Sequence, residues 1–250
     1  MRVVGLIPAR LESSRLPRKA LADICGLPMI LHVLHRAKLS EALDEVYVAT
    51  DSEEIRRVVE SQGGKVIMTS AAHQTGSDRL AEAVQDMPCD IVVNIQGDEA
   101  LLDPAHVSAA VSALLDAPEC QAGLLVTPFA RTHSPSDIKV VLNCRDEVMY
   151  LSRQDIPSDA RTPGREMLKA YHVVPFRRAF LLEYTRLPKT PLEAIEFNEY
   201  LRILEHGHRI KAARVVSECI SVDTPADLDI VRGRMPTDPI WGLYRGKATV

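Results

Sequence analysis

The chain has 250 residues, of which 46% are hydrophobic and 26% charged, with a formal net charge of -4. This composition is typical of a soluble globular protein that can bury a large core, and the absence of a net positive charge argues against nucleic acid as its main partner. No apolar run approaches the roughly 20 residues of a membrane span, and the first residues lead into a strand pattern, not a signal peptide.

The cysteines add a prediction about the compartment. There are five of them, scattered along the chain and never in CxxC spacing. Such a pattern favours reduced, mostly buried thiols over a disulfide framework or a zinc site. We therefore expect a cytoplasmic protein with no membrane partner.

The first predicted strand leads into a basic loop. Residues Val3–Ile7 are apolar or small, and Pro8 is expected to end the strand because proline has no N–H to donate. The next ten residues or so carry cations interleaved with two hydroxyls, namely Arg10, Ser13, Ser14, Arg15, Arg18 and Lys19. Ligands of open α/β sheets bind beyond the carboxyl ends of strands, and guanidinium groups match phosphate oxygens. The loop therefore indicates a polyphosphate site, with a solvated basic turn as the alternative.

Helices and strands then alternate through the first half. A mainly parallel, doubly wound α/β sheet follows from this alternation. The predicted elements are a helix over Met29–Ala37, a strand over Val46–Thr50, a helix over Glu53–Ser61 capped by Ser52, a strand over Lys65–Met68, a helix over Asp78–Val84 and a strand over Ile91–Ile95.

The second half has a different pattern and predicts antiparallel additions to the sheet. We predict one domain, with a nucleotide-binding half over residues 1–120, a second half over 121–234 and a tail over 235–250 that has no clear pattern. The elements expected in the second half are strands over 122–129, 138–143 and 147–151, a mobile loop over 152–165, a helix over Leu192–His206, a strand over Ile210–Val216 and a helix from Ala226.

Two carboxylates suggest a metal site. Asp98 follows a buried strand and Gly97, which permits a close backbone approach, and it lies on the same predicted sheet edge as the basic loop. A carboxylate beside a polyphosphate is well suited to bind Mg2+. Asp223 precedes Thr224-Pro225, so it could be either a second metal ligand or a helix cap. Together the two carboxylates would hold a metal against a triphosphate.

Several motifs together resemble the CMP-Kdo synthetase family, the 3-deoxy-manno-octulosonate cytidylyltransferases. The resemblance extends to about Arg232 and is highly specific as a set, although the first motif also occurs in other sugar nucleotidyltransferases. The motifs are Ile7-Pro8-Ala9-Arg10, Arg15-Leu16-Pro17, Val48-Ala49-Thr50-Asp51, His73-Gln74-Thr75-Gly76-Ser77-Asp78-Arg79, Asn94-Ile95-Gln96-Gly97-Asp98-Glu99 and Val222-Asp223-Thr224-Pro225.

The resemblance implies CTP and Mg2+ as requirements, attack of an acceptor hydroxyl on the α-phosphate of CTP, and a homodimer formed largely through the second half, which would also bind the acceptor. It further implies roles for individual residues. Catalysis would involve Arg10, Lys19 and Asp98; the nucleotide would be bound by Pro8, Ala9, Arg10, Ser13, Arg15, Lys19 and Gln96; the acceptor by Arg79, Gln96, His172 and Glu199; and the metal by Asp98 and Asp223.

The chain also departs from the family pattern. Arg18 and Ala20 stand where the family usually has a glycine and a proline around the loop lysine, and Ala100 replaces another proline. Ala170 and Val174 occupy the positions of the family's acceptor-binding histidine and tyrosine. His172 would either compensate from the same strand face or simply pack.

Three functions remain open from the sequence. The first is CMP transfer to Kdo or a related 2-keto-3-deoxy sugar acid. The second is CMP transfer to a small phosphonate such as phosphonoformate, which the loss of the histidine and tyrosine favours. The third is nucleotide binding without turnover, against which the two metal-facing carboxylates argue.

Overall fold

The computed structural model describes residues 1–13, 15–73, 75–161, 164–171, 173–216 and 220–247. The chain divides into two compact units. The first comprises residues 1–108 together with the C-terminal residues from 218 onward, and the second comprises residues 109–217. In the first unit, the C-terminal residues thus fold with the N-terminal part of the chain.

The helices and strands alternate in the first half, as predicted, and strands predominate after residue 120. In chain order they are β1 (Val3–Ala9), β2 (Asp23–Ile24), β3 (Leu27–Pro28), α1 (Met29–Ala37), β4 (Glu45–Thr50), α2 (Glu53–Ser61), β5 (Lys65–Met68), α3 (Gly76–Ala83), β6 (Ile91–Ile95), α4 (Pro104–Leu115), β7 (Ala122–Phe129), β8 (Lys139–Leu142), β9 (Val148–Ser152), β10 (Met167–Tyr171), β11 (Val173–Arg177), α5 (Arg178–Tyr184), α6 (Pro191–Glu196), α7 (Leu201–Glu205), β12 (Ile210–Arg214) and α8 (Pro225–Arg234).

The first unit is organised around β1, which pairs in parallel with β4 on one side and β6 on the other, while β5 extends the sheet beyond β4. The residues of β6 are all buried, as are Val3–Ile7 of β1. Strands buried on both faces read as continuous apolar runs, which is why the sequence located them accurately. Parallel pairing places the carboxyl ends of β1 and β6 at one edge, where the predicted site residues begin.

The second unit is built on β7. Strand β7 pairs antiparallel with β10 and β11 and in parallel with β12, and β10 continues through β8 to β9 in antiparallel pairs. The α/β class, with parallel pairing first and antiparallel additions in the second half, is therefore confirmed. The elements that were not predicted from the sequence are helices α4 and α5 and strands β2, β3, β10 and β11.

Several predicted bounds are wrong by one or two residues, and two differences from the prediction have a clear physical reason. Strand β1 continues through Pro8 to Ala9, because β6 pairs only as far as Leu6 and the missing N–H of Pro8 interrupts no ladder on that side. The helix predicted over Leu192–His206 is two helices, α6 and α7. Phe197 ends α6 with a left-handed backbone, φ 49°, and Ile195, which the continuous helix would have buried, is 70% exposed.

Candidate active site at the carboxyl ends of β1 and β6

The candidate site begins where β1 and β6 end side by side. A Cβ atom on Gly97 would lie 3.0 Å from the carbonyl oxygen of Pro8, so glycine lets the chain after β6 pass close to the end of β1. This is the close approach that the sequence predicted at Gly97. The loop from Arg10 to Lys19 and the segment Gln96–Asp98 consequently begin from neighbouring points of the first unit.

Lys19 lies between the two predicted metal ligands. Its Nζ donates to Oδ2 of Asp98 at 2.6 Å and to Oδ1 of Asp223 at 3.1 Å. Burial on its own lowers the pKa of Lys19, but the charges and hydrogen bonds of Asp98 and Asp223 outweigh it and raise this pKa above its ordinary value. The two carboxylates thus converge on one cationic group, although they are 125 residues apart in the sequence.

Asp223 is held in place by its neighbours and does not cap α8. Thr224 is the N-cap, because its side chain accepts from the N–H of Asp227 in a capping box. The N–H of Val222 donates to the carbonyl oxygen of Asp98 at 3.1 Å. The Asp223 carboxylate, free from capping, faces the basic loop, and the alternative that it is a helix cap is wrong.

The remaining cations of the loop differ in their partners. Arg15 Nη2 donates to Asp223 Oδ1 at 2.9 Å, and Ser13 Oγ accepts from the N–H of Leu16 at 3.4 Å, which shapes the turn. Arg18 forms an ion pair with Glu54 of α2. Arg10 is exposed and has no hydrogen bond or ion pair with the parts of the chain that the structure describes. The loop therefore offers Arg10 at the end of β1 and Arg15 beside the carboxylates.

Arg18 occupies a backbone position that favours glycine. Its φ is 57°, in the left-handed region. This explains why the related family usually has glycine there. Arg18 adopts this conformation although it has a Cβ, and its side chain reaches Glu54 of α2.

Arg79 is buried in the first unit, at α3. Its guanidinium donates to Thr69 Oγ1 at 2.5 Å and lies 3.5 Å from Asp51 Oδ1. The motif that contains Arg79 suggested its importance, but the sequence did not indicate that Thr69 and Asp51 orient it. Their position depends on the pairing of β4 with β5.

A second supporting contact was also missed. Glu99 is fully buried, and its carboxylate accepts a hydrogen bond from Ser221 Oγ. Together with the bond from Val222 to Asp98, it ties the segment before Asp223 to the segment that carries Asp98. Such contacts across 122 residues have no local sequence signal.

Of the two acceptor residues predicted in the second half, the structure describes Glu199 but not His172. Glu199 is half-buried between α6 and α7, and the hydroxyl of Tyr184 donates to its carbonyl oxygen at 2.8 Å. Ala170 on β10 and Val174 on β11 are both buried. His172 lies outside the described residues, so whether it replaces the family histidine stays a prediction.

The described residues contain no helix with both the length and the apolarity needed to cross a membrane.

Comparison with known proteins agrees with the family resemblance seen in the sequence motifs. A family model described as "Cytidylyltransferase" matches residues 4–210. A 3-deoxy-manno-octulosonate cytidylyltransferase of Geobacter metallireducens is 41% identical over 245 residues, covering 92% of this chain and 96% of the relative.

Two further similarities are informative. An 8-amino-3,8-dideoxy-manno-octulosonate cytidylyltransferase of Shewanella piezotolerans is 39% identical and covers 95% of this chain and 100% of the relative. A solved structure of CMP:2-keto-3-deoxy-manno-octonic acid synthetase complexed with CTP superposes with a TM-score of 0.91 at 38% identity, covering 95% of this chain and 99% of that one. The chain therefore belongs to the cytidylyltransferase family and, within it, to the 3-deoxy-manno-octulosonate cytidylyltransferases.

Proposed function

We propose that this protein is a CTP-dependent nucleotidyltransferase that transfers CMP from CTP to a 3-deoxy-octulosonate sugar acid and releases pyrophosphate. The observation that carries the proposal is the convergence of Asp98 and Asp223 on the Nζ of Lys19, beside the cationic loop after β1. A polyphosphate and its metal need this combination of cations and carboxylates. The family relationship supplies the identity of the nucleotide and the class of acceptor.

The reaction is a displacement at phosphorus. An acceptor hydroxyl oxygen attacks the α-phosphorus of CTP, and the bond from that phosphorus to the oxygen bridging to the β-phosphate breaks. Pyrophosphate leaves with the bonding electron pair, and the hydroxyl proton passes to solvent. The protein's main task is to position the groups and to neutralise charge. Arg10, Arg15 and Lys19 would stabilise the negative charge on the phosphates, so no covalent nucleophile is required.

The other predicted nucleotide-site residues lie close to these cations in the chain. Pro8 and Ala9 form the end of β1, Ser13 shapes the loop, and Gln96 follows β6. We propose that the backbone of Pro8 and Ala9 and the side chains of Ser13 and Gln96 line the nucleotide site. In this assignment Gln96 would also face the acceptor.

We further propose Mg2+ as the cofactor, held by Asp98 and Asp223. The residues fit this ion, because two carboxylates from distant parts of the chain already share one positive group, the Lys19 ammonium. Oxygen ligands of this kind are those that Mg2+ prefers. When bound, the ion would supply positive charge at the phosphates, and Lys19 would be released from the carboxylates to the triphosphate.

The acceptor assignment rests on charge. We propose that Arg79 and Gln96 serve the acid and hydroxyl groups of the sugar acid and that Glu199 accepts from its hydroxyls, with His172 as a further candidate. An 8-amino sugar acid is a second acceptor to consider, because two relatives named for it are 39% and 38% identical to this chain, only slightly below the 40–43% of relatives named for 3-deoxy-manno-octulosonate.

Two properties of the enzyme in solution belong to the same proposal. We propose a homodimer formed largely through residues 121–234, to be tested by light scattering coupled to gel filtration.

We also propose a cytoplasmic location. The free thiols of Cys25, Cys89, Cys120 and Cys144 support a reducing compartment. Only Cys120 of these four is buried, so the prediction of mostly buried thiols is wrong for the described cysteines.

The decisive experiment measures pyrophosphate release with CTP, ATP, GTP and UTP across a panel of acceptors, with Mg2+, with Mn2+ and with EDTA. The panel contains Kdo, its 8-amino analogue and phosphonoformate. We expect turnover with CTP and a sugar acid that EDTA abolishes. Equal rates with ATP, or undiminished turnover in EDTA, would contradict the nucleotide or metal assignment. Turnover with phosphonoformate but with neither sugar acid would show that the acceptor is the small phosphonate.

A further inference from the structure

A buried guanidinium connects the C-terminal tail to the rest of the first unit. Arg36 of α1 is fully buried. Its Nε donates to the hydroxyl of Tyr244 at 2.9 Å, its Nη1 to the carbonyl oxygen of Leu102 at 3.1 Å and its Nη2 to Oδ1 of Asp238 at 2.7 Å. Asp238 thus balances the charge of Arg36. Two of these three partners come from the tail that showed no clear sequence pattern.

His32, one helical turn before Arg36, extends the network. Its Nε2 lies 2.8 Å from the carbonyl oxygen of Ile24, and its Nδ1 lies 2.9 Å from the hydroxyl of Tyr244. Because a carbonyl oxygen only accepts, Nε2 carries the proton and Nδ1 accepts from the tyrosine. The Tyr244 hydroxyl therefore accepts from Arg36 and donates to His32, and both of its hydrogen-bonding roles are used.

The tail is ordered around the same groups. Besides Arg36, Oδ1 of Asp238 accepts from the N–H groups of Ile240 and Trp241 at 2.9 and 3.1 Å, so it fixes the short helical turn that begins there. The ring of Trp241 lies 4.9 Å from that of Tyr244 and 5.0 Å from that of His32, measured between centroids. The carboxylate of Asp238 and the rings of Trp241 and Tyr244 therefore all contact residues of α1.

The anchored segments are those that carry the charged residues of the active site. Ile24 lies five residues after Lys19, and Leu102 lies four residues after Asp98. The tail itself continues from α8, which begins two residues after Asp223. One hydroxyl and one guanidinium thus connect the three segments that must meet for Lys19, Asp98 and Asp223 to share one point.

We propose that residues 235–244, here called the C-terminal clasp, position Lys19, Asp98 and Asp223 for the nucleotide and its metal. Tyr244 and Asp238 are positioning residues in this proposal, because they act through Arg36 and His32 and not on the substrate. The expected effect of the C-terminal clasp on the affinity for CTP and its metal rests on the proposed function. Its structural part, the ordering of the three segments, is testable without any ligand.

The first test is hydrogen exchange of the ligand-free protein. Tyr244→Phe keeps the ring but removes the oxygen that joins Arg36 to His32. The amides of Ala22, Leu102 and Val222 report on the three segments, since they donate to Lys19, Glu99 and Asp98 respectively. We expect these amides to exchange about tenfold faster, because local opening would no longer be opposed by the clasp.

A matched control separates positioning from general stability. Val59→Ala removes methyl groups from the fully buried face of α2, which shares no hydrogen bond in the described structure with the clasp. This control should lower the melting temperature without accelerating those amides selectively. Equal exchange in the two variants would overturn the proposal.

The second test is calorimetric binding of CTP with Mn2+ to the intact protein, together with kcat and KM. We expect Tyr244→Phe to weaken binding about tenfold and Val59→Ala to leave it within about twofold. If Tyr244→Phe does not fold, Trp241→Phe, which keeps the Arg36–Asp238 ion pair but reduces the ring contacts with His32 and Tyr244, should give a smaller change in the same direction. Unchanged binding in both clasp variants would refute the positioning role. Failure of the wild type to bind CTP would instead refute the proposed function, and hydrogen exchange would still decide whether the clasp orders the segments.

Discussion

The ammonium nitrogen of Lys19 lies 2.6 Å from Oδ2 of Asp98, so a cation from the loop after β1 rests on the carboxylate that follows β6. The same nitrogen is 3.1 Å from Asp223. Removing one carboxylate therefore leaves Lys19 with a partner, and the fold should survive the loss. This relationship allows the metal assignment to be tested by single substitutions.

We predict that Asp98→Asn will lower kcat by about a hundredfold or more, because a metal at the reacting phosphates contributes several kcal/mol. The measurement is a Mg2+ titration of pyrophosphate release, with folding checked by circular dichroism. Asp229→Asn on the exposed side of α8 is the control and should behave as the wild type, since its side chain is 74% exposed. Near-normal turnover of folded Asp98→Asn would show that Asp98 is not a metal ligand.

Arg18 offers a test of backbone strain in the basic loop. Because its φ is 57°, any residue with a Cβ is disfavoured there relative to glycine. We expect Arg18→Gly to be more stable than Arg18→Ala by about 1 kcal/mol, since both variants lose the exposed ion pair with Glu54 and only glycine relieves the strain. Urea unfolding of the two variants measures this difference. Equal stabilities would mean that the loop adopts another conformation in solution.

His32 predicts a pH dependence of stability. Burial, with the nearby charge of Arg36, lowers its pKa to about 4 from an ordinary value of 6.5, although hydrogen bonds to backbone carbonyls oppose the shift. Between these values the unfolded chain binds a proton that the folded protein does not. Stability should therefore be fully present above pH 6.5 and should fall by about 2 kcal/mol between pH 7 and pH 5 on account of His32.

Urea unfolding across this pH range checks the prediction. His32→Gln cannot titrate and should lose that part of the slope, although it will also be less stable at pH 7. Burial lowers the pKa of His106 as well, so the difference between the two proteins, and not the slope of either, is the relevant quantity. The same slope in both proteins would show that His32 does not stay neutral when folded.

The last prediction concerns the acceptor positions on β10 and β11. We expect Ala170→His with Val174→Tyr to raise kcat/KM for Kdo several-fold, since each recovered hydrogen bond is worth about 1 kcal/mol. Both positions are buried, so the larger side chains should also lower the free energy of unfolding by about 1–3 kcal/mol. Steady-state kinetics and thermal unfolding measure the two effects separately.

Val174→Phe is the matched control, because it adds the ring without the hydroxyl. An equal effect of Val174→Phe and Val174→Tyr would exclude a hydrogen bond from this position. If the wild type already uses Kdo as its best acceptor, another group has taken over the role of the missing residues, and the small phosphonate should be abandoned as the acceptor.

Local patterns in the sequence determined much of the fold. The bounds of α1, α2, β5, β6 and β7 follow from apolar periodicity and from a cap such as Ser52, which accepts from the N–H of Ile55. These signals depend on residues within about one helical turn of each other, so they can be read without knowing the rest of the structure. The basic loop and Asp98 were placed at one sheet edge by the parallel pairing rule alone.

Other features were decided by contacts between distant residues. Helix α6 ends at Glu196 because its carboxylate accepts from Ser152 and from the N–H of Arg153, and Arg153 also donates to its carbonyl oxygen. Tertiary hydrogen bonds of this kind outweigh the weak preference for a continuous helix. The sequence pattern of 192–206 contains no information about Arg153, and the helix was therefore predicted as one.

The tail shows the same limit most clearly. Residues 235–244 have no periodicity that would predict an element, yet Asp238 and Tyr244 bind a fully buried arginine on α1. The sequence alone determined the buried parallel strands of the first half, the basic loop and the family. Only the tertiary structure decided that Lys19 joins Asp98 to Asp223 and that the C-terminal clasp reaches α1, because such hydrogen bonds form between groups that folding brings together from 79 to 212 residues apart.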